Sequence, residues 1–303
     1  MKKPLGNKDK IKDYIIIIFI FIILSIIYSY HICYGIFYGD SAFFSAVCPV
    51  FGIPFPTSFP LYLIIGYFVS LIPIINKSLL ITAISPFFTI LSIIYLYKTI
   101  ILSCDISGSI LKKSFVALIS LLFGLSMSVW YQAEIAEIYG LNIFLLSLQL
   151  YFLIKWNIFE NQKYLLLFCL CFGLGLCNHP IIMFTAPAYI IFIILNYKKI
   201  QINPKLIFKM FFLIFLPICL YLIIMIRAKS NPVINIENPD TLSKLFDVMT
   251  ARKYGMNLFS ADSAELFKRF EYFIKLTINN FSIFELLLSA SGICFLFFKN
   301  YKY

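Results

Sequence analysis

The sequence predicts an all-helical integral membrane protein, and three observations carry that prediction. Of its 303 residues, 61% are hydrophobic and only 13% are charged, about half the charged share of an ordinary soluble domain. A chain so poor in charge cannot cover a water-facing surface. Apolar runs approaching bilayer-spanning length, roughly 20 residues, recur from one end to the other. These runs are unbroken rather than alternating, which argues against a membrane β-barrel. Backbone groups in lipid must then find their partners within helices.

The net charge of +11 does not indicate a nucleic-acid partner. The lysines sit mainly in the short segments between apolar runs, the pattern of cytoplasmic loops. The eight cysteines are scattered through the chain. No pair has the spacing of a zinc site, and no metal is expected.

Nine apolar runs follow in order, at 14–34, 60–75, 79–97, 114–131, 139–154, 164–177, 181–195, 206–226 and 283–298. Lys2, Lys3, Lys8, Lys10 and Lys12 precede the first run. They place the N-terminus in the cytoplasm, and the run reads as a retained anchor, being too long and lacking a small-residue cleavage site. If all nine runs crossed, Lys112, Lys113, Lys155, Lys163, Lys198 and Lys199 would lie outside, against the charge rule. If 60–75 instead lies along the outer interface, every short basic loop becomes cytoplasmic. The expected topology is therefore eight spans and one interfacial helix, entered at an angle fixed by Pro56 and Pro60. It divides the chain into a tail at 1–13, a seven-span core at 14–226, an outer loop at 227–282, and an eighth span with a short tail at 283–303. Within the outer loop, Asp262 and Glu265 form a capping-box pattern. Leu266, Phe267, Phe270, Phe273, Ile274 and Ile278 then recur at helical spacing, as expected of an amphipathic helix lying on the membrane. Trp130 and Trp156 read as interfacial belt residues.

This topology gathers polar residues on the non-cytoplasmic face. Asp40 follows span one, Glu134 and Glu137 follow span three on one helical face, Asn178 and His179 follow span five, and Arg227 ends span seven. A carboxylate held close to a bilayer is costly and often functional. Each residue also has a plain structural reading. Asp40 could cap a helix over 41–47, and the two glutamates could be a solvated loop. His179, before Pro180, could serve only its turn, and Arg227 could snorkel. The sequence has no phosphate-binding glycine loop, zinc-protease motif or nucleophile elbow. It lacks the repeats and interrupted helices common in transporters.

Five ordered segments resemble one family of multi-pass glycosyltransferases, the one containing the protein O-mannosyltransferases that act on plexin-type receptors. Tyr38-Gly39-Asp40-Ser41 is similar to its G-D-S-G-E motif. Phe55-Pro56-Thr57-Ser58-Phe59-Pro60-Leu61-Tyr62 resembles H-P-[PT]-G-[YF]-P-L-Y. Trp130 through Ala136-Glu137-Ile138-Tyr139-Gly140-Leu141-Asn142 resembles W...A-E-V-Y-x-L-N, and Gly173 to His179 resembles G-L-x-x-G-N-H. Arg227, Asn231-Pro232, Asn238-Pro239 and Thr250-Ala251-Arg252-Lys253-Tyr254 are similar to its long-loop pattern.

The resemblance implies a GT-C-like helical bundle with interfacial helices in the first and last outer loops. It implies a polyprenyl-phosphate-linked sugar as donor substrate, no other cofactor, and a protein hydroxyl as acceptor. Transfer would occur on the outer face of the cell (plasma or inner) membrane, with lipid as a standing partner. Asp40 would be the general base. Arg227, and then Arg252 and Lys253, would meet the leaving phosphate, while Glu137, Tyr139, Asn178 and His179 would bind substrate. Three positions depart from the family pattern: Phe43 replaces its glutamate, Phe55 its histidine and Ser58 its glycine.

Overall fold

A computed structural model describes residues 7–200, 203–255 and 262–298. The described residues are helical apart from turns, loops and one isolated bridge, between Ile53 and Asn235. The first helix, α1 (Asn7–His31), starts inside the expected tail. Then come α2 (Asp40–Val47), α3 (Pro60–Ser70), α4 (Lys77–Thr82), α5 (Ile84–Ser103), α6 (Ile110–Gly124) and α7 (Met127–Glu134). The middle of the chain forms α8 (Tyr139–Phe159), α9 (Gln162–Asn178), α10 (Ala186–Leu195), α11 (Pro204–Phe215) and α12 (Leu220–Lys229). The segment after α12 holds α13 (Leu242–Met249), α14 (Arg252–Gly255) and α15 (Ser263–Asn280), and α16 (Ile283–Phe298) follows.

Local chemistry sets many boundaries. Asn76, Ser109, Asn161 and Asn203 accept a backbone N–H at the starts of α4, α6, α9 and α11, as good N-caps do. Asp262 accepts from Glu265 N at 2.7 Å, so the expected cap of α15 is present. Pro60 opens α3, where a missing N–H costs nothing.

Four helical segments are long and apolar enough to cross a membrane: Asp9–His31, Lys77–Ser103, Tyr139–Phe159 and Pro204–Lys229. Two bent pairs raise this to as many as six: α6 with α7 at 64°, and α15 with the start of α16 at 104°. The structure thus supports a multi-helix membrane protein with fewer full-length spans than the eight expected. The runs at 164–177 and 181–195 form shorter apolar helices. The run at 114–131 is broken after Gly124 rather than continuous.

The run at 60–75 forms one short apolar helix. Its helix has 11 residues, about half of a membrane crossing. Beyond it, Asn76 Nδ2 donates to Tyr34 O at 2.7 Å, and Ser78 Oγ donates to Gly35 O at 2.9 Å. The chain thus returns to the end of the bundle where α1 finished.

Two close approaches fix the core. A Cβ on Gly140 would lie 2.5 Å from Ser85 O, and one on Gly173 would lie 2.3 Å from Ile214 O. Only glycine lets α8 lie so near α5, and α9 so near α11. At the site end, Phe44, Tyr62, Ile81, Leu141 and Ile224 belong to one buried cluster. Trp156 is fully buried in another cluster with Leu165 and Phe168, which corrects its reading as a belt residue.

Candidate active site

Gly39 has φ of 69°, a left-handed conformation suited to glycine, and it turns the chain into α2. Asp40 is the first residue of α2 and is exposed, and no side chain caps that helix. Its carboxylate is therefore free of the capping role the sequence allowed. Ser41 is buried and its Oγ accepts from Ala136 N at 3.0 Å. This bond ties α2 to the segment between α7 and α8.

That segment carries Glu137, and one hydroxyl holds it. Ser85 Oγ accepts from Glu137 N and donates to Glu137 O, both at 3.0 Å. Glu134 ends α7 while Glu137 lies beyond it, so the two do not share a helical face as expected. The Glu137 side chain is buried. Burial, and then the Asp40 charge, push its carboxyl up to about 7, against a hydrogen bond from the Ile138 backbone. The nearby Asp40 charge thus makes ionising Glu137 harder.

Asn178 is fully buried and its Nδ2 donates to Ile138 O at 3.2 Å and to Asn142 Oδ1 at 3.4 Å. Its Oδ1 has no hydrogen-bond partner. His179 Nδ1 accepts from Ile181 N at 3.1 Å. The proton of the neutral ring therefore belongs on Nε2. Burial lowers the pKa of His179, favouring that neutral form. Its ring stacks on Phe59 at 5.8 Å and 11°, and meets Tyr139 at 6.0 Å.

The positions expected to depart from the resembled motif fall in the same place. The Phe43 and Phe55 rings touch, with centroids 5.4 Å apart, and Phe55 meets Phe59 at 5.5 Å. Ser58 has φ of 63°, which explains why a glycine suits that position.

Asp40, Glu137, Tyr139, Asn178 and His179 thus form one group. Arg227 lies elsewhere on this end of the bundle. Its Nε donates to Phe51 O at 2.9 Å, Nη2 to Val50 O at 3.1 Å and Nη1 to Ser230 Oγ at 3.1 Å. It fastens the segment between α2 and α3 to α12. Ile53 N donates to Ile234 O at 2.7 Å, and Ile236 N to Ile53 O at 3.1 Å, which adds a second tie between the α2–α3 segment and the chain after α12. Arg252 pairs with Asp247 and Lys253 with Glu237, within the segment after α12 itself. Sequence reasoning missed Ser85, whose place in an apolar run reads as core. Among the described residues no three His, Cys, Asp or Glu side chains cluster to hold a metal.

A cleft of roughly 650 Å³ opens beside Tyr139, between α7, α8 and the end of α15. Met127, Val129, Ile143 and Leu276 give it apolar walls.

The fold and this group define the class: a helical membrane protein with paired carboxylates, an amide and an imidazole at one end of its bundle. The family described as the protein O-mannosyl-transferase TMEM260 N-terminal domain matches residues 40–202, more than half of the chain, and the chain belongs to that family. The match begins at Asp40 and includes Glu137, Tyr139, Asn178 and His179, while Arg227, Arg252 and Lys253 lie beyond it. No curated protein and no solved structure matches the chain.

Proposed function

We propose that the chain is a membrane glycosyltransferase of the protein O-mannosyltransferase type. It moves a mannose-like sugar from a polyprenyl-phosphate donor to a Ser or Thr hydroxyl of a protein. The reaction takes place on the non-cytoplasmic face of the cell membrane, and the N-terminus lies in the cytoplasm. The observation that supports this best is the pairing of Asp40 with Glu137 inside the family-matched region. The acceptor oxygen bonds to the sugar C1 as the bond from C1 to the phosphate oxygen breaks. The phosphate leaves with the electron pair, and the hydroxyl proton passes to Asp40.

Glu137, partly protonated near neutral pH, donates a hydrogen bond to a sugar hydroxyl. His179 donates another from Nε2, and the unpaired Oδ1 of Asn178 accepts one. The cleft beside Tyr139 suits the donor's apolar tail. Arg227, with two guanidinium N–H groups beyond its three bonds, remains the first candidate for the phosphate, ahead of Arg252 and Lys253.

Incubation of the purified chain with labelled polyprenyl-phosphate mannose and Ser/Thr peptides tests this directly. Labelled peptide is expected. Label only in lipid or glycan would overturn the acceptor, and absence of transfer to any acceptor would overturn the enzyme.

A second reading makes Glu137 the base, because a carboxyl near 7 matches a neutral working pH. The two readings predict opposite pH limbs. If Glu137 must hold its proton, activity falls above pH 7, and Glu137→Gln flattens that fall with modest loss. If Glu137 is the base, activity rises through pH 7 and Glu137→Gln abolishes it.

Stability gives an independent check. A carboxyl held at about 7 rather than 4.5 favours folding below its unfolded value, and this advantage is lost as pH rises through 7. Ionising it in place costs about 3 kcal/mol. Glu137→Gln should therefore be neutral near pH 4 and stabilising by up to about 3 kcal/mol at pH 8, read from unfolding midpoints in detergent.

Sidedness is tested by labelling single cysteines with an impermeant thiol reagent in intact cells. The background should lack the exposed Cys104, Cys219 and Cys294. Val233→Cys, at a side chain 91% exposed, should label, and Lys112→Cys should not. The reverse pattern would put the site in the cytoplasm.

A further inference from the structure

The end of the bundle opposite Asp40 is basic, and most of its inward lysines have partners. Lys113 pairs with Asp13 at 2.8 Å, Lys199 Nζ donates to Asn157 O at 2.8 Å, and Lys12 Nζ donates to Gly108 O at 2.9 Å. Lys98 on α5 and Lys155 on α8 differ. Lys98 Nζ lies 4.7 Å from the centre of the Tyr95 ring. Lys155 Nζ lies 5.1 Å from Tyr151 and 4.5 Å from Tyr164, and donates to Tyr151 Oη at 3.3 Å. The Tyr95 and Tyr151 rings meet edge to face at 5.2 Å. Two half-buried ammonium groups therefore share one aromatic frame. Among the described residues no carboxylate lies within ion-pair distance of either.

Ring faces attract cations but do not neutralise them. Two like charges drawn partly out of water on parallel helices call for a shared anion. A phosphate accepts charge-assisted hydrogen bonds from both. The frame stands near the ends of apolar helices, and Leu150 and Phe159 of α8 expose their side chains, so a lipid can present its headgroup here with its chains against the bundle. Basic pockets between spans on the lysine-rich side of a membrane suit anionic headgroups.

We propose that Lys98 and Lys155, framed by Tyr95, Tyr151 and Tyr164, bind the phosphate of an anionic phospholipid at the end of the bundle opposite Asp40. The site is independent of the transferase reading and stands whether or not sugar transfer is found.

The test uses the full chain in lipid nanodiscs of phosphatidylcholine, with and without phosphatidylglycerol. Thermal midpoints are measured, and retained lipid is identified by native mass spectrometry after extraction into detergent. The unaltered chain should be stabilised by phosphatidylglycerol and retain it selectively. Lys98→Gln with Lys155→Gln should weaken retention by roughly 30-fold for two lysines near a charged surface. Lys112→Gln, at an exposed lysine outside the frame, should leave retention unchanged, and the double arginine variant should keep it. Absence of selectivity in the unaltered chain would overturn the proposal without need of any variant. So would selectivity that survives the double glutamine change, equal loss in Lys112→Gln, or the same stabilisation by inorganic phosphate in pure phosphatidylcholine.

Discussion

Asp40→Asn is expected to fold normally and lose sugar transfer by about 10²- to 10⁴-fold, the usual contribution of a positioned general base. Normal folding follows from its surroundings. The Asp40 side chain is exposed and makes no cap bond to α2. Losing its charge in the first turn removes at most about 1 kcal/mol of favourable interaction with the helix dipole. Asparagine also keeps the size of the side chain and is at home at a helix start. Glu137 should report the change. Burial is the larger cause of its raised pKa and the Asp40 charge the second. In Asp40→Asn its titration should therefore fall below 7 without reaching the ordinary 4.5. Both readouts can be taken from one preparation, by transfer assay and by stability across pH. Full activity in Asp40→Asn would remove it as base and leave Glu137 in that role. A protein that failed to accumulate would instead mean that α2 depends on the carboxylate.

How much of this was legible beforehand depended on whether a residue acts through its neighbours in sequence or across the bundle. The membrane class followed from composition, and the expectation that 60–75 does not cross followed from charge alone. The return of the chain through Asn76 and Ser78 to Tyr34 and Gly35 accords with it. The gathering of Asp40, Glu137 and His179 was legible because sidedness is a one-dimensional property. Ser85 was not legible: its clamp on Glu137 spans 52 residues of sequence, and a serine in an apolar run shows no sign of such a partner. Glu134 and Glu137 were misplaced on one helix because the end of α7 between them carries no proline or glycine to mark it. Arg227 could be placed at a helix end, but its backbone acceptors, Val50 and Phe51, lie about half the chain away. Phe43 and Phe55 read as two separate positions in sequence, and only the structure shows their ring contact.

The sequence places Lys113 in a short basic loop, but it lies in α6 with its side chain fully buried, and there the largest stability effect is expected. Its Nζ lies 2.8 Å from Asp13 Oδ1 and donates to Asp9 O at 3.1 Å. Tyr97 Oη donates to the same Asp13 oxygen at 3.1 Å. One cluster thus joins α1, α5 and α6. Breaking a buried pair from one side costs about 3–5 kcal/mol, because the remaining charge is left without a partner. The two sides are unequal here. The Asp13 side chain is 17% exposed and Lys113 is 0% exposed. Lys113→Met strands a carboxylate that water can still reach, so its cost belongs near the lower limit, about 3 kcal/mol. Asp13→Ala strands an ammonium with only the Asp9 carbonyl, and should cost more. Combining the two changes removes both charges and should recover much of the loss, since an apolar replacement of a whole buried pair is often near neutral. Unfolding midpoints of the two single variants and the double variant in detergent give the coupling directly. If the costs simply add, the pair carries no coupling, and packing of the lysine stem between α1 and α6 holds this end together.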